Sequence, residues 1–172
     1  MTGLTRSRAF GILVLRIVIG LVFLYAGFEK LLGAEPFSAF GFLTFATAGT
    51  AAGAAPDAIV NPTHQFWVDL AGNGSLLGIV NWLVPFGQVA IGVALIAGFA
   101  TRFAGVMGAL MMTLLSVAAW DFAFGPLNHT VVVGIAALVL GIIGAGEIYG
   151  VDAVVDTQPI VKRAPLLRYV LG

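Results

Sequence analysis

The chain has 172 residues, of which 60% are hydrophobic and only 9% charged, and its mean hydropathy is +1.06. A water-exposed domain is nearer a quarter charged, so the expected solvent is lipid, and the length allows one membrane domain with no room for a separate catalytic one. The formal charge is zero and there is no Cys, which argues against nucleic-acid binding and removes thiolate, Fe–S and Cys-ligated zinc chemistry.

The first apolar run, about residues 9–32, follows Arg6 and Arg8. It is too long for a signal-peptide core, contains Arg16 and lacks a small-x-small cleavage site, so it is predicted to persist as a span. Helical spacing places Arg16, Gly20, Phe23, Gly27 and Lys30 on one stripe, open to close approach by a helix or a flat ligand. Both cations are pocket candidates; the alternative is that they snorkel to opposite headgroup layers.

Residues 33–75 break the pattern with Glu35, Pro36, Pro56, Asp57, Pro62 and Asp69. They read as a long outer loop, flexible over the Ala/Gly/Thr stretch at Thr47–Ala58. Phe37, Phe40, Phe42, Phe45 and Trp67 are too apolar for a free loop and predict short interfacial or re-entrant pieces within it.

Three further spans are expected at about 76–100, 102–120 and 129–146, with connections short enough to force antiparallel neighbours. The fold class is therefore all-α integral membrane, a four-helix transmembrane bundle. Basic residues beside the span ends place both termini in the cytoplasm: Arg6, Arg8, Arg102, Lys162, Arg163 and Arg168 fall on one side, and Lys30 is the only basic residue on the other. The tail at 147–172 is expected to lie along the inner interface.

In the second span, Pro85 frees a backbone carbonyl and is expected to kink the helix. Gln88, one turn on, is either a hydrogen-bonding partner for a quinone carbonyl or an interhelical tie. The segment WDFAFGPLNH at Trp120–His129 sets Asp121 and His129 near the ends of consecutive helices, where a carboxylate beside an imidazole suits proton exchange; the plainer reading is a turn residue and a helix start. Two His without Cys make a metal site unexpected. Asn73-Gly74-Ser75 and Asn128-His129-Thr130 fit the glycosylation pattern on the predicted outer side.

Several of these segments resemble one family. LRIVIGLVFLYAGFEKLLG at Leu15–Gly33, GQVAIGVALIAGFATRFA at Gly87–Ala104, GALMM at Gly108–Met112, WDFAFG at Trp120–Gly125 and GAGEIYGVDA at Gly144–Ala153 are together similar to the DoxX family. The loop with AGNG at Ala71–Gly74 and the LLRYVLG ending look most like archaeal members described as DoxD-like. That resemblance implies a prokaryotic plasma-membrane subunit of thiosulfate:quinone oxidoreductase, with quinone as substrate or bound ligand and a second subunit as partner. It makes Arg16, Lys30, Gln88 and Arg102 pocket candidates, and Asp121 and His129 catalytic candidates. Many relatives carry Glu where this chain has Gln88, which puts a carboxylate-dependent proton step there in doubt while leaving a hydrogen bond to quinone intact. The family also includes members without demonstrated catalysis, so an accessory subunit, assembly factor or chaperone is the alternative expectation.

Overall fold

The computed structural model describes residues 6–51, 53–123 and 125–155. The described chain is helical with no strand: α1 (Arg6–Leu31), α2 (Phe40–Thr44), α3 (His64–Gly72), α4 (Gly74–Ala97), α5 (Thr101–Ala119), α6 (His129–Ile142) and α7 (Val151–Val155), with single 3₁₀ turns at Ala46–Ala48 and Ala145–Glu147. Three helices, α1, α4 and α5, are long and apolar enough to cross a membrane, and α6 is a shorter apolar helix. The four pack as the expected bundle.

Two seams dominate the packing: α1 against α4, and α5 against α6. Each closes because glycine lets backbones touch. A Cβ on Gly92 would lie 2.7 Å from Leu24 N and 2.8 Å from Gly20 O; one on Gly105 would lie 2.8 Å from Gly141 Cα. In lipid such close van der Waals approach is a principal force joining helices. Between the two pairs runs the core of Phe23, Ile91, Leu95, Met112, Ala137 and Leu140.

The helices define two ends. The described residues of 32–73 and 120–128 lie at one, here the loop end; Gly98–Thr101 and the segment 144–155 share the other, the terminal end. The expected fourth span ran to Gly146, but α6 stops at Ile142 because Gly144 takes a left-handed turn (φ 61°) that sends the chain back across the terminal end. At about 1.5 Å per residue, its 14 residues cover roughly 21 Å.

The loop between the first two spans is more ordered than its composition suggests. Helices α2 and α3 pack together over Ala39, Leu43 and Ala71, and they also reach Leu77 and Val80 of α4. Within the stretch expected to be flexible, Thr50 forms a bridge with Asp121: Thr50 N donates to Trp120 O at 3.1 Å, and Phe122 N donates to Thr50 O at 3.1 Å. The two asparagines of the glycosylation pattern both serve as helix N-caps. Asn73 accepts from Ser75 N and Leu76 N of α4, and Asn128 accepts from Val131 N of α6. The interfacial tail expected at 147–172 falls mostly outside the described residues; its described part, up to Val155, is folded into the terminal end.

Candidate functional site: a lateral groove at the loop end

Beyond Lys30 the chain leaves α1, turns through Gly33–Pro36, and comes back past the first half of α4. The space left between them is a cavity of about 540 Å³, lined among others by Lys30, Glu35, Phe37, Asn81, Trp82 and Phe86. Trp82 and Phe86 are one turn apart on α4 and stack with ring centroids 5.0 Å apart; both remain exposed on the lipid-facing side. The groove therefore combines an aromatic flank with a polar rim, a pattern suited to an amphipathic ring.

Pro85 shapes its floor. It lies fully inside α4 and has no N–H, so the Asn81 carbonyl one turn earlier loses its helical donor. The Asn81 side chain is held in place by Ala39, whose N–H donates to Oδ1 at 2.7 Å. Lys30 Nζ donates to Ala26 O at 3.0 Å and sits 5.8 Å from the Phe37 ring centroid. An ammonium, an amide and a carboxylate, Glu35, thus surround one apolar-walled space.

Of the residues singled out in the sequence, Lys30 lines this groove. Gln88 lies one turn deeper than Pro85 on α4, buried at 3% exposure, and its Oε1 has no hydrogen-bond partner. Asp121 and His129 are both exposed at the loop end. The Asp121 carboxylate accepts from the Thr50 hydroxyl at 2.7 Å, and His129 is the first residue of α6.

Arg16 and Arg102 are at the terminal end. Arg16 does not snorkel: it is 1% exposed, and its guanidinium donates to Ala145 O at 2.6 Å, Ile148 O at 2.9 Å and Tyr149 O at 3.3 Å. Gly98 makes the room, since a Cβ there would lie 2.7 Å from Arg16 Nη1 and 2.7 Å from Gly150 Cα. Arg102 is half-buried in the first turn of α5.

Two polar residues that organise the fold were not evident in the sequence. Asp152, fully buried, accepts from Ala100 N (2.7 Å), Thr101 N (3.0 Å) and Thr101 Oγ1 (2.8 Å), while its own N–H donates to Gly98 O at 2.8 Å. It caps the start of α5 and engages the turn after α4 in one step. At the loop end Asn61 Nδ2 donates to Thr47 O (2.9 Å), Ala118 O (2.9 Å) and Val117 O (3.3 Å), and Oδ1 accepts from Thr63 N and Oγ1. Thr47 donates its hydroxyl to Leu43 O, so at 2.8 Å it accepts from His64 Nδ1–H, which fixes that ring's tautomer.

Among the described residues, three non-glycine residues have left-handed backbone, Ala100, Trp120 and Tyr149, and all belong to these junctions. Ala100 N donates to Asp152, Trp120 O accepts from Thr50, and Tyr149 O accepts from Arg16. Tertiary hydrogen bonds hold each in a conformation that is costly for a residue with a Cβ.

Among known proteins, no curated sequence and no solved structure matches the chain. A family model does match, that of DoxX, over residues 11–122. This stretch holds both walls of the groove and the buried Arg16, and leaves the 144–153 motif beyond its limit. With well over half its length matched by that model, the chain belongs to the DoxX family.

Proposed function

We propose that this membrane protein is the quinone-linked membrane subunit of a thiosulfate:quinone oxidoreductase-type system in a prokaryotic plasma membrane. The observation that carries the reading is the lateral groove: it opens beside lipid-facing Trp82 and Phe86, and its rim offers Lys30 and Asn81 as donors. A quinone headgroup fits between them, its carbonyls toward Lys30 and Asn81, with its isoprenoid tail in the bilayer along the α4 aromatics. When bound, the quinone supplies the redox chemistry. The residues of this chain orient the ring, exclude water from its apolar faces and place a cation beside one carbonyl.

The distribution of charge favours both termini in the cytoplasm. Arg6, Arg8 and Arg102 belong to the terminal end, whereas the loop end has Glu35, Asp57, Asp69 and Asp121 beside Lys30. Thiosulfate would then reach the groove from outside, and a second subunit would serve the electron transfer that no side chain here performs by itself.

Purified protein in lipid nanodiscs, titrated with a short-chain ubiquinone or menaquinone analogue, tests the reading. Saturable binding that weakens about tenfold in Lys30→Met, together with thiosulfate-dependent quinone reduction by the native complex, supports it. No saturable binding in correctly folded protein rejects it.

A second reading, a non-catalytic accessory or assembly subunit, is favoured by one observation. The buried ionic residues Arg16 and Asp152 are both engaged in tying helix ends together. A stable membrane partner in native pull-downs, with no turnover in the purified complex, would select that reading.

A further inference from the structure

The lateral groove has an acceptor that quinone binding alone leaves unused. Of the residues lining it, Lys30 and Glu35 carry charge, and Glu35 is the one carboxylate. Its place follows from the chain. Helix α1 ends at Leu31, and Pro36 disfavours helical backbone at the residue before it, so Glu35 stands in the exposed turn over the groove.

No neighbour claims that carboxylate. Lys30 Nζ donates to Ala26 O and faces the Phe37 ring, and among the described residues no hydrogen bond or ion pair engages the Glu35 side chain. The groove therefore holds a cation and a carboxylate that are not joined to each other.

Hydrogen bonding separates the two redox forms of the ligand. The carbonyl oxygens of a quinone only accept, whereas the hydroxyls of a quinol also donate. Lys30 has donors alone to offer. Asn81 Oδ1 already accepts from Ala39 N at 2.7 Å, which leaves the N–H groups of its amide for the groove. Both residues suit the oxidised form. A quinol hydroxyl calls for an acceptor, and a carboxylate accepts strongly without donating.

Reduction also consumes protons. Two thiosulfate ions join through a new S–S bond and release two electrons; the quinone takes up those electrons with two protons, leaving tetrathionate and quinol. An exposed carboxylate in the same groove exchanges protons with water and can pass them to a ring oxygen.

We propose that Glu35 is the quinol-side acceptor of the groove, holding a ring hydroxyl and exchanging its proton with water, while Lys30 and Asn81 hold the carbonyls of the oxidised form. This role rests on the quinone reading and adds to it a residue and a preference: each redox form is gripped through different atoms.

Full-length protein in nanodiscs is titrated anaerobically with a short-chain quinone and, separately, with its quinol. Wild-type protein is expected to bind both. Glu35→Gln keeps the size and loses the charge, so quinol affinity should fall about tenfold, the effect of one hydrogen bond to a charged group at a wet site. Quinone affinity should hold or improve, because the new amide can donate. Glu35→Asp should keep the quinol preference that Glu35→Gln loses. A Glu35→Gln protein with the wild-type ratio of quinol to quinone affinity overturns the role of Glu35 and leaves the quinone reading standing, as does wild-type protein that binds quinone but not quinol. Wild-type protein that binds neither form removes the quinone reading, and this role with it.

Discussion

Arg16 and Asp152 are buried countercharges that close the same end of the bundle from opposite sides. The guanidinium gathers carbonyls of the 145–149 turn, and the carboxylate gathers the N–H groups that open α5. Neither charge has water to fall back on, at 1% and 0% exposure. Removing Arg16 leaves three carbonyls of that turn without their donor and Asp152 without its countercharge, an expected cost of about 2–4 kcal/mol. Arg16→Leu is expected to lose that much stability in detergent. Asp152→Asn keeps an acceptor for one N–H and should lose about 1–3 kcal/mol. A double-mutant cycle by thermal or denaturant unfolding should give a clearly non-additive sum; additive losses would mean the two residues act separately.

The glycine seams predict a sharp contrast among Gly→Ala changes. At Gly92 the new methyl meets backbone atoms of α1 that cannot swing aside, so α1 and α4 must part. A loss of about 1–3 kcal/mol is expected, as for overpacking elsewhere. Gly11, also within α1, has nothing within 4 Å of such a methyl. There the better helix propensity of Ala should leave stability unchanged or raise it by up to about 1 kcal/mol. Melting curves of the two variants side by side decide it, and equal behaviour would refute the close-packed seam.

The sequence made the scaffold legible because span length and helical stripe are local properties. Arg16, Gly20, Phe23 and Gly27, read as one stripe, are indeed all buried on α1, and Lys30 at its end lines the groove. Asp152 was illegible for the opposite reason. It stands in VDAVVD as an acidic residue of an apparent interfacial tail, and nothing nearby announces that a left-handed turn at Gly144 returns it to α5. Asn61 in NPTH likewise reads as turn chemistry, although its partners come from α5 and from Thr47. The groove itself depends on how residues 33–37 fold back over α4, a tertiary event with no periodic signature.

Asn61 should prove the most sensitive residue of the loop end. Its amide donates to carbonyls at the end of α5 and in the 3₁₀ turn, and its oxygen accepts twice from Thr63. Asn61→Asp keeps the shape but loses both donor hydrogens, leaving buried carbonyls facing a carboxylate. It is therefore expected to be at least as damaging as Asn61→Ala, at about 2–3 kcal/mol from the unmet hydrogen bonds. Limited proteolysis should show new cleavage around residues 46–63 in both variants. Intact protection in Asn61→Asp would show that the amide donors are dispensable.

Pro85 offers a test in which stability and binding move apart. Within α4 it costs the helix a hydrogen bond and several tenths to a few kcal/mol of propensity, about 3 kcal/mol at an ordinary interior position. In return it removes the i+4 helical donor from the Asn81 carbonyl, whose residue lines the groove with Trp82 and Phe86. Pro85→Ala restores the missing N–H, so the Asn81 carbonyl is recaptured by the helix and the groove narrows. Thermal stability should then be equal or higher, while affinity for a quinone analogue falls about tenfold. If affinity is instead unchanged while the midpoint rises, Pro85 serves packing against Gly27 alone, and the groove owes its shape to the 33–37 turn.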